Sequence, residues 1–244
     1  MVLPSAGTGR WVGNWVRRWA YTLPRVSRII AGRAGGRRLR TPSGSLTRPT
    51  TDRVREAVFS ALAAWNGTAD QPAAEQLGGQ AFLDLFAGSG AVGLEAASRG
   101  AGPVVCVEQA AQARRVITGN RASTGCRVEV VGQSVGTFLA GRTGAEDPQA
   151  TAHPREPGAG DRPGSAPDRF DVVWFDPPYD LDDAELDRLV ALAAEAALAG
   201  DGLLVVERSS RSRPPAFPEG MTRWTSRYGE TAVHYAQADR EEQP

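Results

Sequence analysis

A glycine-rich segment at residues 84–93 constrains the fold of this chain more than any other feature. It reads Asp-Leu-Phe-Ala-Gly-Ser-Gly-Ala-Val-Gly, and its last six residues match the pattern G-x-G-x-x-G. An apolar run precedes it, and a segment with helical periodicity follows it. Glycines at such a strand-to-helix turn let the backbone approach a ligand at the helix N-terminus, as they do in Rossmann units. Because the pattern alone is common, the neighbouring segments must decide which ligand it serves.

Short apolar runs alternate with helical patterns on both sides of this segment. The predicted strands cover residues 81–85, 103–107, 127–131, 171–175 and 203–207, and the predicted helices lie near 51–65, 89–99, 109–123 and 183–199. Gly100, Gly125 and Gly200 follow three of those helices, at the position where a residue must accept a left-handed conformation. The alternation favours an α/β fold with a largely parallel, doubly wound sheet. Residues 27–41 and 222–236 are predicted to form antiparallel hairpins that flank it.

Acidic residues beside the glycine-rich segment narrow the choice of ligand. Glu108 follows the second predicted strand, where Rossmann units place a carboxylate that binds ribose hydroxyls. NAD and S-adenosylmethionine both contain such a ribose, so Glu108 does not separate them. Asp84 does, because its carboxylate would repel the pyrophosphate of NAD but suits the sulfonium and ammonium groups of S-adenosylmethionine. We therefore expect S-adenosylmethionine as the cofactor.

Further residues near the segment are expected to shape the same pocket. Phe86 would border the methionine part of the cofactor, while Gly88 and Gly90 keep side chains away from it. Gly93 is expected to allow close packing of the following helix on the sheet. Ser134, after the third predicted strand, is a candidate for contact with the adenine edge, and the alternative is that it caps a helix.

The fourth predicted strand leads into the tetrapeptide Asp176-Pro177-Pro178-Tyr179, at the sheet edge where α/β proteins bind ligands. An exocyclic amino group of a nucleobase is a poor nucleophile, because its lone pair is delocalised into the ring. The Asp176 carboxylate and the Pro177 carbonyl can accept its hydrogens and turn the lone pair toward a methyl donor. Tyr179 can stack on a base that has left its helix. These residues predict methylation of a base amino group by positioning and electrostatics, without a covalent enzyme intermediate.

The charges of the chain are distributed unevenly although their formal sum is zero. Residues 1–60 hold 12 Arg and only two acidic residues, so the remaining residues carry the opposite excess. This asymmetry favours a basic arm that binds a polyanion, and the alternative is a solvated basic tail. The residues predicted to bind the polyanion lie in the first hairpin and are Arg28, Arg33, Arg37, Arg38 and Arg40.

Composition excludes several other classes of protein. No apolar run approaches the roughly 18–20 residues that a membrane span needs. The chain holds only two Cys and two His, too few to indicate a disulfide framework, a zinc site or a histidine-based triad. We expect a cytoplasmic protein that acts as a monomer without membrane or metal.

Two segments fall outside the alternating pattern. Residues 1–25 are expected to be disordered or to precede the true translation start. Residues 141–168 contain five Gly and five Pro but no Val, Ile, Leu or aromatic residue, which predicts a disordered insert. The expected organisation is a basic hairpin with a helix over 26–66, a catalytic domain over 67–238 that contains the insert, and a tail over 239–244.

Over residues 26–140 and 169–238, the sequence resembles the RsmD family of bacterial 16S rRNA guanine-N2-methyltransferases. The segments that carry the resemblance are Arg28-Ile29-Ile30-Ala31-Gly32, Arg48-Pro49-Thr50-Thr51-Asp52-Arg53-Val54-Arg55-Glu56, Asp84-Leu85-Phe86-Ala87-Gly88-Ser89-Gly90 and Asp176-Pro177-Pro178-Tyr179. The resemblance implies a Rossmann-like, seven-stranded S-adenosylmethionine-dependent methyltransferase fold with an N-terminal β-hairpin. It also implies methylation of guanine N2 in 16S rRNA, in the 30S subunit or an assembly intermediate, with the base flipped into the Asp-Pro-Pro-Tyr pocket.

In such enzymes the helix before the first sheet strand closes over the methionine end of the cofactor. This implies that Thr50, Thr51 and Arg53 lie near the cofactor in this chain. Arg53 or Arg55 is a candidate partner for the cofactor carboxylate, with a phosphate contact or a surface ion pair as the alternatives.

Two other functions fit part of the pattern. A DNA adenine-N6 methyltransferase can use the same Asp-Pro-Pro-Tyr chemistry, although no separate target-recognition domain is evident. A ribosome assembly factor that binds RNA without catalysis would depend on the arginines but not on Asp176. The tetrapeptide itself has a structural alternative, a proline-rich turn before a helix capped by Asp182 or Asp183.

Overall fold

A seven-stranded sheet organises the residues that the computed structural model describes, which are 27–42, 52–143 and 167–238. Along the chain the elements are β1 (Ser27–Arg28), β2 (Arg38–Leu39), α1 (Asp52–Trp65), β3 (Phe82–Leu85), α2 (Ala91–Ser98), β4 (Val104–Val107), α3 (Ala111–Thr124), β5 (Glu129–Val131), α4 (Val135–Thr143), β6 (Phe170–Phe175), α5 (Asp183–Ala196), β7 (Leu198–Ser209), β8 (Met221–Tyr228) and β9 (Thr231–Ala238).

The strand order in the sheet is β5-β4-β3-β6-β7-β9-β8. Strands β5, β4, β3, β6 and β7 run parallel, and β9 and β8 add an antiparallel pair at one edge. The chain leaves β3 toward β4 and β5 and later returns to β6 on the other side of β3. Ligands of open α/β sheets bind outside the carboxyl ends of the strands at such a reversal. The arrangement confirms the predicted fold class.

Helices cover both faces of the sheet. Helices α1, α2 and α3 pack on one face, where Leu94 and Ile117 are fully buried, and α4 and α5 pack on the other, where Leu139 and Val190 are fully buried. Strand β4 is buried at every position and therefore reads as a continuous apolar run rather than an alternating one.

The predicted N-terminal hairpin is confirmed and is docked on the helical layer. Strands β1 and β2 pair antiparallel, and the side chains of Ile29 and Leu39 are buried against the core. Gly32 has φ +82°, and a Cβ at this position would lie 2.0 Å from the carbonyl oxygen of Ser98. Because no side chain fits there, the glycine allows the hairpin to approach the end of α2.

The helix and strand boundaries differ from the predictions in a few places. Gly100 and Gly125 have positive φ after α2 and α3, as predicted. The prediction for Gly200 is wrong, because α5 ends at Ala196 and Gly200 lies inside β7. Strand β7 begins at Leu198 and has an irregular register with β6, so this glycine belongs to a distorted strand start rather than to a helix end.

Helix α4 is absent from the sequence prediction, since Gly136 and Gly141 weaken its helical pattern. Its last three residues fall within the range 141–168, so the prediction of disorder is wrong for residues 141–143. Residues 144–166 of that range, together with residues 1–26, 43–51 and 239–244, lie outside the described residues. The predictions for the N-terminal segment, the insert and the tail therefore stay predictions. Within the described ranges, none of the helices is long and apolar enough to cross a membrane.

Candidate active site

Three loops meet at the carboxyl ends of the neighbouring strands β4, β3 and β6. Leu85, the last residue of β3, is in register with Val107 of β4 and with Phe175 of β6. The glycine-rich loop, Glu108 and the Asp-Pro-Pro-Tyr loop therefore follow adjacent strand ends. Asp84, predicted to belong to the same site, lies one residue before the end of β3.

Asp84 is buried beneath the glycine-rich loop, with 1% of its surface exposed. Its Oδ2 accepts a hydrogen bond from the Gly93 amide at 2.9 Å. Burial raises the pKa of this carboxyl to about 8, the hydrogen bond from Gly93 acts in the opposite direction, and the negative charges of Asp176 and Glu108 raise it further. The site thus gathers three carboxyl groups, and a cationic ligand would favour the ionised form of Asp84.

The backbone of the glycine-rich loop adopts conformations that most side chains avoid. Gly88 and Gly90 have φ +56° and +75°. Phe86 has φ +62°, and among the described residues it is the only non-glycine residue with a positive φ. Strain at a non-glycine residue is typical of functional sites. The Phe86 ring lies 6.5 Å from the ring of Phe175, so it borders the end of β6.

Glu108 holds the glycine-rich loop from the neighbouring strand. Its Oε2 accepts a hydrogen bond from the Gly88 amide at 2.9 Å, and its Oε1 accepts one from the Ala110 amide at 2.7 Å. Each carboxylate oxygen has a second lone pair, and the side chain is partly exposed. The arrangement leaves acceptor capacity for the ribose hydroxyls that the sequence predicted as its ligands.

Gly93 allows the close packing of α2 on the sheet that its position predicted. A Cβ at this residue would lie 2.5 Å from Sγ of Cys106, 3.2 Å from Oδ2 of Asp84 and 3.4 Å from Val104. No side chain can enter this space without displacing strand β4 or the buried carboxyl.

The Asp-Pro-Pro-Tyr loop leaves β6 directly beside β3. The Asp176 amide donates to the Leu85 carbonyl at 3.5 Å, Pro177 is buried, and Tyr179 is 61% exposed. The helix cap is a separate residue, because Asp182 accepts hydrogen bonds from the amides of Ala184 and Glu185. Capping therefore does not account for Asp176, and stacking of a base on the largely exposed Tyr179 stays a prediction.

Of the four remaining residues that were predicted to bind the cofactor, the structure describes two. Ser134 caps α4, since its Oγ accepts a hydrogen bond from the Thr137 amide at 3.1 Å, and this is the alternative that the sequence left open. Arg53 is exposed on the first turn of α1. Thr50 and Thr51 lie outside the described residues.

Arg55 is a structural residue, so its assignment as a partner of the cofactor carboxylate is wrong. Its side chain is 1% exposed, and its Nη2 donates to Oγ of Ser27, to the Arg28 carbonyl and to Asp52 at 2.7–3.0 Å. These hydrogen bonds join α1 to the hairpin. The helical pattern of residues 51–65 did not reveal this, because an arginine on that face can equally extend to solvent.

All five arginines of the predicted RNA-binding set are exposed on the hairpin: Arg28, Arg33, Arg37, Arg38 and Arg40. Two of them also hold the hairpin in place. Arg28 pairs with Asp52 at 3.1 Å, and Arg37 donates to the Ser123 carbonyl at 2.9 Å. The hairpin thus presents a basic surface from a fixed position on the helical layer.

Three buried polar residues that sequence reasoning missed attach this hairpin. Glu95 accepts hydrogen bonds from the amides of Ile30 and Ala31, Ser98 accepts one from the Ala34 amide, and Asn120 bonds the backbone of Arg40. Glu95 interrupts an apolar stretch of α2, and Asn120 falls on the buried stripe of α3 with Ile117 and Thr124. A polar residue within an otherwise apolar helix face was the sequence signal that could have indicated these buried hydrogen bonds.

The chain matches one protein family over most of its length and is similar to individual members of known sequence or structure. The family described as Conserved hypothetical protein 95 matches residues 27–151 and 142–237. Ribosomal RNA small subunit methyltransferase D of Haemophilus influenzae is 30% identical over 198 residues, which cover 80% of this chain and 84% of that protein. The structure of a hypothetical protein of Thermus thermophilus is 31% identical and has a TM-score of 0.64 over 87% of this chain and 100% of that chain.

A more distant structure shows the same fold. The 16S rRNA N2 methyltransferase RsmC of Thermus thermophilus, solved in complex with AdoMet and guanosine, is 19% identical to this chain. Its TM-score is 0.53, over 80% of this chain and 45% of that chain. The architecture is therefore the Rossmann-like fold of S-adenosylmethionine-dependent methyltransferases.

Proposed function

The chain belongs to the family described as Conserved hypothetical protein 95, which includes the small subunit methyltransferase D proteins, and from this premise we propose that it methylates guanine N2 of 16S rRNA. S-adenosylmethionine is the proposed cofactor, and the 30S subunit or an assembly intermediate is the proposed substrate. One observation carries the proposal: the Asp-Pro-Pro-Tyr loop adjoins the glycine-rich loop at the ends of the neighbouring strands β6 and β3. A methyl donor and an acceptor base bound at these two loops would lie side by side.

The residues at the strand ends fit a cationic nucleoside cofactor. Glu108 and Asp176 both lie within electrostatic reach of Asp84, and the raised pKa of Asp84 reflects burial together with these two charges. A sulfonium and an ammonium group would favour the ionised form of Asp84, whereas a pyrophosphate would add further negative charge beside these carboxyl groups. The proposed cofactor contacts are Thr50, Thr51, Arg53, Asp84, Phe86, Gly88, Gly90, Glu108 and Ser134.

In the proposed reaction, the protein positions an amino group for attack. S-adenosylmethionine would supply an electrophilic methyl group and leave as S-adenosylhomocysteine. Asp176 and the carbonyl of Pro177 accept the two N2 hydrogens of the guanine, which turns the nitrogen lone pair toward the methyl group. As the N–C bond forms, Asp176 stabilises the positive charge on the nitrogen, and the surplus proton passes to it or to water. Tyr179 stacks on the flipped base.

The exposed arginines of the hairpin supply the proposed contact with rRNA phosphates. Their charges attract a polyanion of any sequence, so they position the substrate while the pocket selects the base. Every group assigned to the site comes from one chain, which supports action as a monomer. Action in the cytoplasm and without a metal ion belongs to the same proposal.

Methyl transfer to alternative substrates tests this proposal. Labelled S-adenosylmethionine is offered with unmodified 30S particles, naked 16S rRNA and plasmid DNA, and the methylated nucleoside is identified by mass spectrometry. We expect label in the ribosomal substrates as N2-methylguanosine. Label in plasmid DNA as N6-methyladenine would instead support the adenine methyltransferase.

The Asp176→Ala variant separates catalysis from binding. We expect it to bind S-adenosylmethionine and to lose at least about 100-fold in methyl transfer, because the acceptor for the amino hydrogens is gone. Turnover close to that of the wild type would remove Asp176 from its assigned role. An absence of transfer by the wild-type protein to all three substrates would favour the assembly factor without catalysis.

A further inference from the structure

One buried side chain, Asn120 of α3, hydrogen bonds to both the basic hairpin and the glycine-rich loop. Its Oδ1 accepts from the Arg40 amide at 2.8 Å, and its Nδ2 donates to the Arg40 carbonyl at 2.9 Å and to the Ser89 carbonyl at 3.0 Å. Asn120 is 1% exposed, so these bonds are sheltered from water. The planar amide fixes the hairpin backbone just after β2 relative to the loop.

The Ser89 carbonyl lies just before α2, because Gly90 is the N-cap residue and its carbonyl accepts the first helical bond, from the Leu94 amide. The Gly93 amide belongs to the first turn, has no acceptor within the helix, and donates to Asp84. The Ser89 carbonyl accepts from Asn120. The start of α2 is thus held by the Asp84 carboxyl from strand β3 and by the Asn120 side-chain amide from α3.

Helix α3 contacts the loop at a second point. A Cβ at Gly90 would lie 3.0 Å from Cγ2 of Ile117, one turn before Asn120 on the same helix. Ser89 lies between two glycines with positive φ, so the orientation of its carbonyl depends on the conformation of the loop. A ligand that fixes the loop therefore also fixes the geometry of the Asn120 bond.

We propose that Asn120 is a positioning residue that couples cofactor binding at the glycine-rich loop to the ordering of the RNA-binding hairpin. A bound cofactor orients the Ser89 carbonyl, Asn120 transmits that orientation to Arg40, and the arginines are held for RNA. By linkage, RNA bound at the hairpin strengthens cofactor binding by the same factor. The identities of the two ligands rest on the proposed function, whereas the coupling between loop and hairpin is testable with the cofactor alone.

Hydrogen exchange with and without S-adenosylmethionine tests the coupling. We expect saturating cofactor to slow amide exchange over residues 27–42 about fivefold or more, beyond its effect on the distant β8–β9 hairpin. Peptides from β8–β9 report the general stabilisation that any bound ligand gives. If residues 27–42 respond to the cofactor no more than β8–β9 does in the wild-type protein, the coupling is overturned, whatever the variants do.

Two variants assign the effect to the amide of Asn120. Asn120→Asp keeps an acceptor for the Arg40 amide but loses the hydrogens that bind the two carbonyls. We expect the cofactor still to slow exchange in the glycine-rich loop of this variant and no longer to affect residues 27–42 selectively. Thr124→Val is the matched control, because Thr124 is buried on the same helix and bonds the Asn120 carbonyl rather than the hairpin.

The outcomes of this experiment are separate from those of the methyl-transfer assay. Selective protection of residues 27–42 in the wild type and in Thr124→Val, but not in Asn120→Asp, supports the coupling even if ribosomal substrates receive no methyl group. Equal protection in Asn120→Asp and the wild type removes Asn120 from the connection even if rRNA is methylated.

Discussion

The Gly93 amide donates a hydrogen bond to Oδ2 of Asp84 at 2.9 Å, and this bond joins strand β3 to the first turn of α2. It places a carboxyl group in the interior, where burial, together with the charges of Asp176 and Glu108, raises its pKa to about 8 despite the bond. At neutral pH the ligand-free folded protein therefore keeps a proton on Asp84 that the unfolded chain releases. Asp84 therefore contributes to the pH dependence of folding in the ligand-free protein.

The first prediction follows from the sign of that linkage. The pKa of Asp84 rises on folding, so its contribution to the free energy of unfolding is greatest at low pH and is lost as pH rises toward about 8. The loss is about 1 kcal/mol for each pH unit over which the two states differ by one proton. We expect urea unfolding to show that the free energy of unfolding of Asp84→Asn rises relative to that of the wild type between about pH 5 and pH 8. Between about pH 8 and pH 9 the two free energies should change with pH in parallel. Parallel curves over the whole range would contradict it.

Gly93→Ala should destabilise the protein by overpacking rather than by backbone strain. Its Cβ would lie 2.5 Å from Sγ of Cys106, and the expected loss is about 1–3 kcal/mol in the free energy of unfolding. Gly119→Ala is the matched control, because nothing lies within 4 Å of a Cβ there and alanine favours a helix by up to about 1 kcal/mol. Cys106→Ala should restore part of the loss when it is combined with Gly93→Ala, and urea unfolding of the wild type, the three single variants and this double variant measures the effect.

Glu95→Gln should loosen the hairpin while leaving the sheet intact. The two carboxylate oxygens of Glu95 accept from the amides of Ile30 and Ala31, and an amide group would face one of these donors with its own hydrogens. Leaving buried donors unpaired costs about 1–3 kcal/mol. We expect faster amide exchange over residues 27–42 and little change over β7 and β9.

An exposed carboxylate provides the control for that variant. Glu185 pairs with Arg188 on the surface of α5, where both side chains are well exposed. Glu185→Gln should change stability by less than about 1 kcal/mol, because exposed ion pairs contribute little. A comparable effect of both substitutions would mean that the burial of Glu95 does not matter.

The sequence predicted the strands and loops that are marked by continuous apolar runs and by sequence motifs. Apolar strands followed by Gly88, Glu108 and Asp176 specified both the parallel sheet and the edge where the site lies. The buried positions of Asp84 and Arg55 were not predictable, because a single sequence states which residue occurs but not which surface covers it. From the sequence, Asp84 is a carboxylate at a strand end and Arg55 a candidate for ligand contact or a surface ion pair, until the packing of α2 and of the hairpin is known.

The hydrogen bonds that connect the hairpin, the glycine-rich loop and α3 could not be predicted from the sequence either. Asn120 bonds Arg40 and Ser89, which lie 80 and 31 residues away along the chain. Local periodicity carries no information on contacts of that separation. Helix α4 was missed for a local reason, since two glycines in nine residues hide a helix that packing against α5 stabilises.

Tyr179 offers a direct test of base stacking in the proposed pocket. Its ring is 61% exposed beside Asp176, and stacking of a base on an aromatic ring contributes about 1–3 kcal/mol. Tyr179→Ala should lower kcat/KM for the ribosomal substrate by about 5-fold to 150-fold, and Tyr179→Phe should stay within about threefold of the wild type. Calorimetry should show unchanged cofactor affinity in both. Equal losses in the two variants would point to the hydroxyl group instead.

The salt dependence of RNA binding tests whether the hairpin arginines bind phosphates. Removing one arginine–phosphate interaction reduces the slope of log K against log salt by about one unit, because one fewer counterion is released. Arg38→Gln and Arg40→Gln should each flatten the slope by about that amount for a 16S rRNA fragment. Arg188→Gln removes the same charge on the opposite face of the sheet, so its slope should match that of the wild type. If all three variants share the wild-type slope, the hairpin is not the RNA-binding arm, and the polyanion must bind elsewhere on the protein.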